Sequence, residues 1–174
     1  MAYPRMNKTY SSKKHGNLST RTGGKSAVKY IVVHYTGTSA SAANNCKYFS
    51  RVGAASGASA DYFIDSSGIW KYNGNCKTKR SWHCGCSSRY RSLGATNNNS
   101  IGIEVVSNGS EYTAAEKKHL RKLVKAIMKD FGIPAKNVIR HYDANTVRKR
   151  CPAPYCGSDA KNKKWLELHS YITN

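Results

Sequence analysis

Acidic residues are scarce in this chain. Nine Asp and Glu stand against 29 Lys and Arg in 174 residues, a formal net charge of +20. Such an excess disfavours the compact state by self-repulsion and attracts polyanions. It also exceeds what solubility alone asks for. Nucleic acid, anionic membrane and anionic cell-wall polymer all qualify as partners, and charge does not choose among them. Long hydrophobic runs are missing too. No segment approaches the length of a membrane-spanning helix, so no membrane span is expected. The N-terminal stretch MAYPRMNKTYSSKKHGN is polar and basic, without the apolar core of a secretory signal. Synthesis in the cytosol is therefore expected, and any work outside the cell needs another exit route. Internal repeats and long low-complexity segments are absent as well. No contiguous nucleic-acid motif is present; a base-stacking surface would rest on charge plus Tyr48, Trp82 and Tyr90.

What is present begins with a hydrophobic fraction of 39%, enough to bury one core of ordinary size. Residues 1–26 read as a basic polar arm that crosses the surface or stays loose, and 27–174 as a single domain. His15 lies in that arm and reads as exposed. Six cysteines occur. Without a secretory signal they are expected as thiols or metal ligands rather than bridges. Setting Cys151 aside leaves Cys46, Cys76, Cys84, Cys86 and Cys156, an odd number. A second metal site from Cys76, Cys84, Cys86 and Cys156 is disfavoured because one residue alone separates Cys84 from Cys86.

Residues 28–35, VKYIVVHY, form a β-branched and aromatic run that predicts a buried central strand with His34 near its end. Segment 39–51 predicts a helix capped by Ser39 or Ser41, with Cys46, Phe49 and Ala42 inward. Residues 61–64 and 69–72 predict two strands joined by a turn. Strand 100–106 alternates: Ile101, Ile103 and Val105 on one face, Gly102, Glu104 and Val106 on the other. The helix over 113–131 carries a capping box, Thr113 with Glu116, and an apolar stripe of Leu120, Leu123, Val124, Ile127 and Met128. A terminal helix over 160–172 is expected to bury Trp165, Leu166 and Leu168, and His169 has no evident partner. The fold class that follows is α/β: a mixed central β-sheet flanked by helices.

Two soft ligands, His141 and Cys151, lie in VIRHYDANTVRKRCPAPY, with Lys149 two residues before the cysteine. His34 is the best distant third. Two histidines and a thiolate around zinc leave one coordination position open, the arrangement of a catalytic site. The competing reading makes His34 a partly buried strand histidine and Cys151 a small buried hydrophobe. Glu104 is an acid inside an apolar strand, where acids are rare unless paired or functional. Trp82 and His83, in SWHCG, either line a groove or plug the core.

Together, VVHYTG, SWHCG, SIGIE and RHYDANTVRKRCPAPY resemble the zinc-dependent N-acetylmuramoyl-L-alanine amidases, a family of phage endolysins and bacterial autolysins related to peptidoglycan recognition proteins. The likeness runs from about residue 28 to 155. It implies a mixed sheet with one zinc ion in a surface cleft, held by His34, His141 and Cys151. It implies Glu104 as proton shuttle and Lys149 as the residue polarising the scissile carbonyl. It further implies Trp82 and His83 along the substrate groove. One departure stands out: relatives often carry an aromatic residue near the reacting centre where this chain has Ala60. By strand alternation Tyr62 shares the face of Ala60 and is the expected partial substitute. The implied activity is hydrolysis of the bond between N-acetylmuramic acid and L-alanine by a monomeric phage or prophage endolysin. Its basic surface would hold anionic wall polymers. Synthesis would be in the bacterial host cytoplasm, with action at the wall after release or export. A non-catalytic peptidoglycan-binding protein is the alternative, and a nucleic-acid-binding module a weaker one.

Overall fold

The computed structural model describes residues 2–7, 16–85, 93–144 and 149–174. His15, Cys86 and Tyr90 lie outside the described residues. Seven strands and four α-helices are formed among them: β1 (Leu18–Thr20), β2 (Tyr30–Tyr35), α1 (Ala42–Val52), β3 (Tyr62–Asp65), β4 (Gly68–Lys71), β5 (Lys79–Ser81), β6 (Ser100–Val105), α2 (Ala114–Phe131), β7 (Val138–Arg140), α3 (His141–Ala144) and α4 (Asp159–Thr173). β1 and β5 pair as a small antiparallel ribbon. The other five build one sheet in the order β4-β3-β6-β2-β7. Three of its four pairings are parallel; at the edge β4 returns antiparallel to β3 across a tight turn. The mixed sheet is thus as the composition of runs predicted.

β2 and β6 are buried on both faces, which is why they read as near-continuous apolar runs. One face carries the main core. Ile31, Val33, Ile101, Ile103 and Val105 meet Leu120, Leu123, Val124 and Ile127 of α2 and Trp165, Leu168 and Ile172 of α4. Each such side chain contributes roughly 1.5–3 kcal/mol on burial. α2 starts where its capping box dictates: the Thr113 hydroxyl accepts from the Glu116 amide at 3.3 Å, and Glu116 accepts from the Thr113 amide at 2.7 Å. Gly132 ends it in the left-handed conformation, φ 66°. α1 begins after Ser41, the second of the two expected caps.

Several expectations change. The segment read as an arm is partly built in: Leu18–Thr20 form β1, and Asn17 and Arg21 are buried. Arg21 donates to the carbonyls of Cys76, Asn97, Asn98 and Ser100, and no local sequence pattern signals so distant a staple. Leu166 is 66% exposed because it falls on the solvent side of α4. His169 does have a partner, the Ala135 carbonyl at 3.0 Å. Residues 138–140 form a strand that three residues alone do not advertise, since pairing with β2 supplies its hydrogen bonds.

Candidate metal centre

The parallel register sets His34 of β2 directly beside Glu104 of β6. Both point to the face opposite the main core, at the C-terminal ends of their strands, where open α/β sheets place ligands. β7 pairs with β2 as far as Arg140, so its next residue, His141, emerges beside His34 at the start of α3. The two imidazole centroids are 4.6 Å apart. The loop bearing Cys151 is docked from the same side: the Tyr142 amide donates to the Cys151 carbonyl at 2.7 Å. Arg140 ties the far end of that loop down. Its guanidinium donates to the Tyr155 carbonyl at 2.6 Å, to Asn162 at 2.8 Å and to Asp143 at 2.6 Å.

The outcome is a cluster in which one donor atom each from His34, His141 and Cys151 lies within 4.8 Å of the others, all three residues buried. It is the only group of three or more His, Cys, Asp or Glu so arranged among the described residues. Cys151 Sγ is 3.6 Å from His34 Nδ1. His141 Nδ1 and Glu104 Oε2 are buried without a hydrogen-bond partner among the described residues. Buried polar atoms of native proteins are nearly always satisfied, so His141 Nδ1 fits a donor aimed at a cation, and Glu104 Oε2 a group held ready beside it. Burial holds both imidazoles neutral, with His34 pushed well down and His141 pushed down to about 3. Their lone pairs are therefore available to a metal at any physiological pH. Burial pushes the Cys151 thiol up, and a cation within bonding reach is what ionises such a group. The donor set is chemically right for a soft or borderline divalent metal.

The cluster floors a cleft of about 290 Å³. Tyr35, Gly37, Phe49, Ser59, Trp82, Glu104, Lys149 and Arg150 are among its lining residues. Glu104 Oε1 is 3.9 Å from His34 Nδ1. Its carboxyl is pushed up to about 8 by burial, against which the Lys149 ammonium pulls down. Trp82 walls the cleft, its indole N–H donating to Ser19 at 2.8 Å. Arg150 and Tyr35 were not singled out by sequence, and Phe49 was read only as an inward residue of its helix; the basic run RKR is the one trace of the first.

Three expected placements differ. Tyr62 is not in the cleft. It is 3% exposed in the main core, with the Cys76 thiol against its hydroxyl at 3.6 Å. It borders a separate cleft of about 470 Å³ between residues 3–6 and the end of α2. The alternation that tied it to Ala60 breaks at Asp61, whose carbonyl accepts from both Tyr72 and Asn73 amides. Ala60 is itself fully buried with Phe63 and Tyr72, so the cleft-facing residues of this segment are Ala58 and Ser59. His83 borders the cleft, but its ring is engaged behind His34, Nδ1 to Nε2 at 3.0 Å. Burial pushes it down to about 4. No second cysteine site forms among the described residues: Cys84 packs with Val32 and Ala95, Cys76 lies under Tyr62, and Cys156 sits against the Pro152 carbonyl. The five described cysteines form no disulfide with one another.

A family profile described as N-acetylmuramoyl-L-alanine amidase matches residues 24–154, a span that holds His34, Glu104, His141 and Cys151. The chain belongs to the N-acetylmuramoyl-L-alanine amidase family. Among curated amidases it is 30% identical over 147 residues to CwlA of Bacillus subtilis, covering 83% of this chain and 48% of that one. It is 32% identical over 154 residues to CwlL of Bacillus licheniformis, covering 83% and 42%. The chain thus spans about half the length of the curated amidases it matches. In fold it superposes on PlyL with a TM-score of 0.73 at 20% identity, covering 100% of this chain and 98% of that one. No helix among the described residues is long and apolar enough to cross a membrane.

Proposed function

We propose that the chain hydrolyses the amide bond between N-acetylmuramic acid and L-alanine in peptidoglycan, with one zinc ion held by His34, His141 and Cys151. The observation that carries this reading is an unpartnered carboxylate oxygen of Glu104 beside a buried His, His, Cys donor cluster. Two neutral imidazoles and a thiolate suit zinc and leave a coordination position open, as in catalytic rather than structural sites. When bound, zinc supplies a Lewis acid that acidifies water and polarises an amide carbonyl.

The chain's own residues supply the rest. A carboxyl with its pKa near neutrality exchanges protons in both directions at useful rates. Glu104 takes the proton of the attacking water and passes it to the leaving nitrogen. The C–N bond breaks, leaving the lactyl carboxylate on the sugar and a free amine on L-alanine. The Lys149 ammonium, in the same cleft, stabilises negative charge on the carbonyl oxygen as it develops. Trp82 offers a fixed aromatic wall for the sugar or peptide.

An endolysin role, phage or prophage, is supported by the likeness in fold to an endolysin from Bacillus subtilis, TM-score 0.68 at 23% identity. A bacterial autolysin is the second reading, favoured by the CwlA match. In either case the protein is made in the bacterial cytoplasm and acts at the wall after release, as a monomer. Its charge of +20 retains it on anionic wall polymers. Digestion of purified peptidoglycan, with mass analysis and with or without chelator, tests the activity. New amino termini on L-alanine, lost on chelation, are expected. Products bearing new reducing sugars, or none at all, would overturn it.

A further inference from the structure

His34 Nε2 lies 3.0 Å from His83 Nδ1, with the two rings nearly perpendicular at 87°. His83 Nε2 in turn lies 3.1 Å from Ser100 Oγ, and that hydroxyl lies 2.5 Å from the Thr96 carbonyl. The directions of these bonds follow from the far end. A carbonyl has no proton to give, so Ser100 donates to Thr96. Its oxygen is then left to accept, and His83 Nε2 carries the hydrogen. A neutral imidazole protonated at Nε2 presents a bare lone pair at Nδ1. That lone pair accepts from His34 Nε2–H. His34 is left with its lone pair on Nδ1, the atom facing Cys151 Sγ and Glu104 Oε1.

The backbone is built around this chain. The Asn97 side-chain carbonyl accepts from the amides of His83 and Cys84 at 3.0 and 2.6 Å, fixing where the imidazole starts. Arg21 pins the carbonyl of Ser100 at 3.1 Å. Beneath the ring is Gly102: a Cβ there would lie 2.6 Å from His83 Nδ1 and 2.8 Å from Cδ2. Only glycine at this point of β6 lets the imidazole reach His34. Neither the Gly nor the Ser of SIGIE has any other visible task in the cleft.

We infer that His83, oriented by Ser100 and seated on Gly102, is a positioning residue that selects the Nε2-protonated tautomer of His34 and so presents Nδ1 to the metal. This rests on the metal reading above and adds to it a residue that acts on the metal through His34. Outer partners of this kind typically hold about 10- to 100-fold of metal affinity.

Two readouts test it. The first is zinc affinity by competition with a chromophoric chelator. His83→Ala and His83→Phe are each expected to weaken binding about 10- to 100-fold. His83→Asn, whose carbonyl can stand where Nδ1 stands, is expected to recover most of the loss. Gly102→Ala is expected to weaken binding alone but to add nothing in the His83→Ala background. The second readout is the pattern of nitrogen–proton couplings from the ring nitrogens of the metal-free protein. It should show His34 protonated at Nε2 in the unaltered chain and mixed between nitrogens in His83→Phe. Unchanged affinity and an unchanged His34 tautomer in the His83 variants would overturn the inference. So would equal losses in Phe and Asn with full additivity of Gly102→Ala, the signature of packing alone. If the unaltered protein bound no zinc, the metal reading would fail, and the tautomer spectra would still decide whether His83 sets His34.

Discussion

Glu104→Gln separates two consequences of placing a carboxyl in this cleft. In the metal-free protein, burial raises the Glu104 carboxyl from its ordinary 4.5 to about 8. A carboxyl whose folded value lies above its unfolded one contributes stability that is full below the unfolded value. That contribution falls as pH rises towards the folded value. The slope is at most about 1.4 kcal/mol per pH unit. From 4.5 to 7 that is a ceiling of roughly 3 kcal/mol, tempered because the side chain keeps 19% exposure at the cleft mouth. Gln has nearly the same shape and never ionises. Urea denaturation of chelated protein from pH 4 to 9 should therefore show the variant gaining on the parent above pH 5, by about 1–3 kcal/mol at pH 7. The buried histidines, pushed down rather than up, give the opposite pH slope. They are common to both proteins, so they cancel in the difference. In the zinc-loaded protein the same variant should keep its metal and lose about 10²- to 10⁴-fold in turnover. Parallel stability curves across the whole range would refute the burial argument, and full turnover would refute the proton role.

Cys151→Ser replaces a thiolate by a hydroxyl that does not ionise, so zinc affinity should fall by more than the roughly 10- to 100-fold typical of an outer partner. Metal analysis after dialysis reads it. Arg140→Leu removes the guanidinium donors to Asp143, the Tyr155 carbonyl and Asn162 together. It should cost about 3–5 kcal/mol in urea unfolding and loosen zinc, because that guanidinium ties down the far end of the Cys151 loop; a loss under about 1 kcal/mol would contradict this. Retention on walls should fall steeply as salt is added, since attraction between a +20 chain and a polyanion is screened beyond about 10 Å at 0.1 M salt. A cosedimentation curve flat in salt would argue against the electrostatic partner.

The His34, His141 and Cys151 cluster was legible because each member sat in a stretch with its own signature. His34 lies near the end of a β-branched strand, His141 follows Val138, Ile139 and Arg140, and Cys151 precedes Pro152 and Pro154. Glu104 was legible as an anomaly of polarity. Tyr62 was misplaced because alternation was carried one residue past the point where the Asp61 carbonyl takes two donors and the strand changes step. His83 borders the cleft as read, but its contact with His34 was not legible, because a sequence shows a ring and not which way it turns. Arg140 and Arg21 were unreadable as staples, since their acceptors are backbone carbonyls and carry no sequence signature.

By itself the sequence determined the chemistry available: two imidazoles, a thiol, an acid and an amine, each on an element whose periodicity or capping residues define it locally. Those signals act over a few residues and need no partner to be read. The sheet order and register decided what that chemistry became. Only the pairing of β2 with β6 on one side and β7 on the other brings residues 34, 104 and 141 to one strand edge. Only a missing side chain at 102 admits the His83 ring behind His34. Contacts between residues far apart along the chain are set by packing as a whole, which no single stretch encodes.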